Sequence, residues 1–528
     1  MKQFFLLFGM VVFWGLGAIA QSTPTFSEDI APIIYEHCSS CHRPGEIGPM
    51  PFTNYQEVKD WANMIEYVTS IRYMPPWKPN PDFSSFLGEN FLEEEEIQLI
   101  MDWVAEGMPE GDPALAPPFP VFPSGSQIGE PDLVLSFAEA FTQPGSGEDT
   151  YRIFVLPTEL PEDKDLAAIE LRPGNPTIVH HALFTYDTSG VAAANAAADP
   201  IYGYDGFGGF GVPGTFDRQF PAYVPGQKPR FYPEGIGQRI PADADLLVQM
   251  HYAPSPIDQT DSSTINLFFL EEPAQRYVQS HVMLPFFGTL QNGPFILAPE
   301  EIKTFHGIWE VEDYISLLGL GPHMHLLGKD WTVMAIRPTG DTINLVQIED
   351  WDFNWQGGYF FDRFITLEPG SEIHAYATYD NTSSNPSNPN NPPAWVSWGE
   401  GTTDEMYYLP IMYVPYAFGD EDIVFTDDPI LSTAEENLRW PEQKMYPVFP
   451  NPGQTSTVLG FELQEGQPLS IQLFDIEGNL VRTIQEESFF MPGLHQMEIS
   501  LKDLSEGIYI VRIEGAYWHD YQKLIKLN

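Results

Sequence analysis

Apolar residues are spaced in distinct ways along this chain, and each spacing predicts a different architecture. Over about 22–112 they fall at helical intervals. Ile97, Ile100, Met101 and Val104 form one stripe behind the acidic run Glu93 to Glu96, which suits a helix N-terminus, and Ser27 is placed to cap an earlier helix. From about 131 to 430 the pattern changes to short alternating segments broken by Gly, Pro, Asn and Asp, the signature of antiparallel sandwiches. Leu246 to Tyr252 is an extended apolar run that would hold His251 rigidly at a strand end. Between these regions, Pro113, Pro117, Pro118, Pro120 and Pro123 cannot support a helix or a central strand, which predicts a linker over 113–130. An Ala-rich run, Val191 to Ala198, followed by glycines and aromatics from Gly203 to Gly214, interrupts the alternation as either a mobile surface loop or a lid.

A length of 528 residues exceeds one core and calls for several domains. Lys2, the apolar run Phe4 to Ile19 and the small-residue site Ala18-Ile19-Ala20 read as a removed signal peptide over 1–20. No later stretch is long enough to span a bilayer, so the expected location is secreted or cell surface, reached through the periplasm. The net charge of −50 excludes nucleic acid and anionic membrane as partners, because both would be repelled.

Cys38 and Cys41 are the only cysteines, and they lie in Cys38-Ser39-Ser40-Cys41-His42. Two thiols at this spacing can form thioethers to the two vinyl groups of one haem, and the next His can ligate its iron. A zinc half-site would need further Cys or Cys/His ligands at matching spacing, and a disulfide leaves His42 without a role. The segment 22–112 resembles the cytochrome c fold, which implies one covalently bound haem c. Met74, in Met74-Pro75-Pro76-Trp77, is the preferred distal ligand, since a Pro-stiffened loop can hold a thioether at iron; Met50 and Met64 are alternatives.

Four central segments carry histidines and a methionine: Val179-His180-His181-Ala182, Gln249-Met250-His251-Tyr252, Gly321-Pro322-His323-Met324-His325, and Asp404-Glu405-Met406-Tyr407-Tyr408-Leu409. Residues two apart on a strand face the same way, so His323 and His325 could share a metal. His180 and His181 are adjacent and reach one metal only at a bulge, a strand end or a strong twist. Imidazoles suit copper, zinc, iron and nickel alike, whereas a Met406 thioether favours copper. The order of these motifs resembles the copper type II, ascorbate-dependent monooxygenases, the family of peptidylglycine hydroxylase and dopamine β-monooxygenase, over about 131–430.

That resemblance implies two jelly-roll-like antiparallel sandwiches, at 131–290 and 291–430, and two copper ions. One copper would be held by His180, His181 and His251, the other, catalytic one by His323, His325 and Met406. It further implies hydroxylation of an aliphatic C–H with O2, fed by an external reductant or electron-transfer partner; the attached haem is the candidate relay. In peptidylglycine hydroxylase an Arg, an Asn and a Tyr hold the substrate carboxylate. Here those positions are Gly321, Tyr408 and Pro410, so an uncharged or hydrophobic small substrate is expected instead. The animal enzymes use disulfides; this chain has no Cys left for them.

The competing reading keeps the copper and haem but makes the protein an electron carrier or copper binder; a surface sandwich with chance histidines is the remaining one. Trp351-Asp352-Phe353-Asn354-Trp355 reads as a core aromatic cluster in preference to a substrate platform, Asn385 to Pro393 as a turn-rich loop, and His281, His306 and His374 as residues without an assigned role, His306 being a spare polar residue near the second sandwich. Residues 445–528, with Asn451-Pro452, the Leu469 to Asp475 strand, the Gly478-Asn479 turn and the Gly507 to Val511 strand, resemble the C-terminal sorting domain of the type IX secretion system. This implies an Ig-like β-sandwich that engages the secretion machinery; a plain adhesion module is the alternative. The expected fold is therefore multidomain and mainly β: a small all-α cytochrome c domain, two jelly-roll-like sandwiches and a C-terminal Ig-like sandwich.

Overall fold

The computed structural model describes residues 23–122, 125–215, 218–286, 288–425, 444–463, 466–476, 478–491, 493–515 and 519–527. The expected signal peptide lies outside the described residues. The chain is mainly β with a small helical part. It divides into a helical unit, residues up to Pro76 together with Asn90–Val121, and a β unit of Trp77–Glu89 and everything from Phe122 onward.

Three helices build the first unit: Ala31–His37, Tyr55–Ser70 and Glu94–Ala105. The acidic run does more than complement the dipole, since Glu93 and Glu96 form a reciprocal capping box at the third helix. At the chain's start the cap is Thr25, whose hydroxyl accepts from the Glu28 N–H. Ser27, expected to be the cap, sits inside that turn, and its hydroxyl donates to the Glu110 carbonyl. Ile97, Ile100 and Trp103 pack on Phe26, Ile30, Ile34, Val58, Ala62 and Ile65 to form the core. In the expected linker, Pro113–Leu115 forms one 3₁₀ turn and Phe119 packs edge-on against Tyr35.

In the first sandwich, one sheet runs in the order Tyr204–Asp205, Thr150–Pro157, Asp245–Tyr252, Val179–Asp187, Phe220–Tyr223. It faces a second sheet of Leu133–Ser136, Thr264–Phe269, Lys164–Arg172, Ile236–Ile240 and Arg276–Tyr277, across a core that includes Phe154, Phe184, Val248, Ile265 and Leu267. The second sandwich stacks Gln279–Met283, Leu409–Pro415, Ile315–Leu320 and Tyr359–Leu367 on Glu301–Glu310, Glu372–Asn381, Gly328–Ile336 and Thr342–Ile348. The boundary expected near 290 therefore falls just after Tyr277, because Gln279–Met283 pairs with Leu409–Pro415. A third sandwich, of three and four strands, closes on Leu459, Phe461, Ile471, Leu473, Val511 and Ile513.

Two local expectations change. The Val191 to Ala198 run is a helix rather than a mobile loop, with Ala192 buried alongside Ile153, Tyr204, Phe210, Val212 and Leu247. Trp77–Glu89, expected to belong to the helical segment 22–112, is built into the second sandwich. The Asn80 N–H donates to the Gln347 carbonyl at 2.8 Å and the Leu87 N–H to the Phe360 carbonyl at 2.8 Å, while Phe86, 4% exposed, stacks on Phe361. Phe86→Ala is expected to cost about 3–5 kcal/mol, the usual toll of emptying a buried aromatic site, read as a lowered denaturant midpoint of the β unit.

Candidate metal centres

The Val179–Asp187 strand pairs antiparallel with Asp245–Tyr252, and the register slips between Val179, opposite Tyr252, and His181, opposite His251. His180 is the extra residue of this bulge, and the local bend brings two neighbouring rings to one side. The Nδ1 atoms of His180 and His181 lie 3.2 Å apart and those of His181 and His251 3.3 Å apart. One ligand atom from each of the three lies within 4.8 Å of the others. Nitrogens bound to one metal at 2.0–2.1 Å are spaced by about 3.3 Å in tetrahedral geometry, so the three imidazoles fit a metal. Asp149 accepts from His251 Nε2 at 2.8 Å, which leaves Nδ1 as the lone-pair donor, and Tyr151 stacks on the same ring at 4.2 Å. Burial opposes the Asp149 charge, yet the His251 contact holds its carboxyl below the ordinary value.

His323 and His325 follow the Ile315–Leu320 strand in an extended segment. Met324 between them is fully buried in the core, so the two histidines share the opposite side. His323 exchanges backbone hydrogen bonds with Tyr408, 2.9 Å from its N–H and 3.2 Å to its carbonyl. Its Nδ1 contacts the side-chain amide oxygen of Gln356, and His325 Nδ1 donates to the backbone carbonyl of Asp404 at 3.2 Å. With both Nδ1 atoms engaged, both Nε2 atoms remain to bind a metal. Along Glu405 to Tyr408 burial alternates: Glu405 and Tyr407 are buried, and Tyr408 meets His323 edge-on at 6.1 Å. Met406 shares the Tyr408 side of this extended segment.

The two sets adjoin. His181 and His323 are 6.3 Å apart between ring centroids, and Phe353 stacks on His180 at 5.2 Å while meeting His325 edge-on at 5.6 Å. Burial and then the neighbouring imidazoles lower His180 to about 4 and hold His181 well below its ordinary value. Burial lowers His323 to about 4, against the opposing Gln356 bond, and His325 to about 3. At neutral pH these four rings are neutral, the state in which imidazole binds a metal. Burial likewise pushes the Glu405 carboxyl up to about 8, although the N–H groups of His325, Met406 and Leu327 favour its anion.

In the helical unit, Cys38 caps the Ala31–His37 helix and Cys41 and His42 follow in a tight turn. Residues 48–52 brace that turn: the Gly48 N–H donates to the Cys41 carbonyl at 3.0 Å and the Phe52 N–H to the His42 carbonyl at 2.9 Å. A Cβ on Gly48 would collide with the Cys41 carbonyl and the His42 Cα, so only glycine allows this approach. His42 Nδ1 lies 3.0 Å from the Met50 carbonyl and its ring stacks on Phe52, which leaves Nε2 available to bind a metal ion. Met74 is half-buried, Met50 packs partly into the core, and Met64 is 50% exposed on the Tyr55–Ser70 helix.

Residues 447–527 match the family described as secretion system C-terminal sorting domain. The sorting domain makes this a secreted or cell-surface protein. Among the described residues no helix is long and apolar enough to cross a membrane. No curated protein sequence matches the chain. Solved structures similar to it include a Faecalibacterium prausnitzii β-glucuronidase, 13% identical with a TM-score of 0.13 over 43% of this chain and 37% of that one. A Parabacteroides merdae β-glucuronidase is 9% identical, with a TM-score of 0.12 over 50% of this chain and 31% of that one. The chain thus spans under two-fifths of these enzymes' length, and at such scores the likeness carries no argument.

Residue spacing carries no sign of Asp149, Tyr151 or Gln356. Phe353 lies among the histidines, whereas Trp351 from the same cluster is core. The glycine- and aromatic-rich segment reaches the site's edge: Phe207 meets Tyr151 edge-on at 5.8 Å, and the Gly208 N–H donates to Glu400 at 2.7 Å. His306 lies 2.9 Å from His374, which lies 3.0 Å from Glu372, and the two nearly parallel rings form a hydrogen-bonded chain. His281 stacks flat on Trp309 at 4.0 Å.

Proposed function

We propose that this protein is a secreted copper-dependent monooxygenase that hydroxylates an aliphatic C–H of a small substrate with O2. A c-type haem on the same chain would supply the electrons. One observation carries the reading: five histidines from two paired strands and one extended segment come together, three through Nδ1 and two with Nδ1 engaged so that Nε2 is free. When bound, copper supplies O2 binding and one-electron redox change, and a neighbouring thioether favours its reduced state. Haem at Cys38, Cys41 and His42 supplies a one-electron store.

The chain's own residues supply positioning. Asp149 fixes the His251 tautomer, and Gln356 and the Asp404 carbonyl fix those of His323 and His325. Tyr408, Phe353 and His323 give the second set an aromatic rim, and the Tyr408 hydroxyl donates to Gln219 at 3.0 Å. Such walls suit an uncharged or hydrophobic substrate.

The deciding experiment loads the full chain with copper and haem and follows O2 uptake and product mass with a panel of uncharged aliphatic and aromatic substrates. Stoichiometric hydroxylated product supports the proposal. Redox cycling without product favours the electron-carrier reading, which Phe353 wedged between His180 and His325 also suits. In anaerobic stopped-flow, reduced haem absorbance should decay when Cu(II) is present; no decay would refute the haem as electron source. Asp149→Asn is expected to weaken copper at the first set by about 10–100-fold, measured by competition with a chromophoric chelator.

A further inference from the structure

We infer that Glu405 is a positioning residue whose carboxyl group sets the register between the two segments bearing His325 and Met406. The inference rests on the copper reading above and adds to it how the second ligand set is assembled. Backbone pairing joins these segments at His323 and Tyr408, but the chain turns at Leu326 and Leu327, and regular pairing stops. Past that point the N–H groups of His325 and Leu327 need acceptors, since an unpaired buried donor is costly.

Glu405 provides them from across the gap. One carboxyl oxygen accepts from the His325 N–H and, at 2.8 Å, from the Met406 N–H; the other accepts from the Leu327 N–H at 3.0 Å. The side chain is 0% exposed, and all its hydrogen-bond partners among the described residues are backbone amides. A carboxyl group buried away from water is expensive to retain, and here it gains three directed bonds that bind one ligand segment to the other. Glutamine has the same shape but one carbonyl oxygen. It would serve His325 and Met406 and turn its NH2 toward the Leu327 N–H, loosening the turn after His325.

The test compares the full-length chain with Glu405→Gln, using copper alone as probe. The variant should keep its circular dichroism spectrum and the copper at His180, His181 and His251. Copper at the second set should bind about 10–100-fold more weakly, and the sulfur scatterer should vanish from the Cu(I) X-ray absorption spectrum. Native affinity with the sulfur signal intact would overturn the inference. Hydrogen exchange on the metal-free proteins judges it separately from the copper reading. Peptides covering 323–328 and 404–408 should exchange faster in Glu405→Gln even if the parent chain binds no second copper, and unchanged exchange would also overturn the inference.

Discussion

His323→Ala is expected to lose all hydroxylated product and one of the two coppers, while the copper at His180, His181 and His251 stays. The ring removed is one of the two imidazoles of the segment that follows the Ile315–Leu320 strand, and the remaining His325 and a thioether make a poor cage. Altering a partner that only orients a ligand typically weakens binding about 10–100-fold, so deleting the ligand should exceed about 100-fold. His251→Ala should give the complementary result, losing the other copper. Because His181 and His323 lie 6.3 Å apart, the variants are close enough to couple, and the double variant should depart from additivity. Metal content by mass spectrometry and product yield check both parts. Loss of both coppers from His323→Ala alone would mean the five rings act as one indivisible cage.

What the sequence disclosed and what it withheld differ in range. Helical spacing at Ile97 to Val104, the alternation after 131 and the run Leu246 to Tyr252 are local patterns, and the structure has a helix or strand at each. The sidedness of His323 and His325 was legible because Met324, one step between them, is apolar and enters the core. Nothing periodic marks Trp77–Glu89 as part of a sandwich that begins two hundred residues later, because its support comes from Gln347, Phe360 and Phe361. Asp149 and Gln356 are single polar residues in loops, and only folding brings them to His251 and His323. The meeting of the two histidine sets was equally hidden: strand pattern sets which face a ring takes, while the approach of one sandwich to the other depends on surfaces no local window contains.

Replacing both Cys38 and Cys41 by Ala should abolish covalent haem attachment. The intact mass should fall by one haem beyond the two sulfur atoms, and the pyridine haemochrome spectrum should disappear. The chain offers no substitute thiol, since these are its only cysteines. His42→Ala separates attachment from ligation. It leaves both thiols in place but removes the ring that Met50 and Phe52 orient, so the expected result is a covalently held haem with an altered axial-ligand spectrum. Both variants should leave copper at the five histidines unchanged, because all five belong to the other unit. If the double variant kept its haem mass, or if the parent chain matured in a cytochrome-competent host showed a Cys38–Cys41 disulfide in place of two thioethers, the electron source proposed for the copper centres would be lost. The histidine cages would then require an external reductant alone.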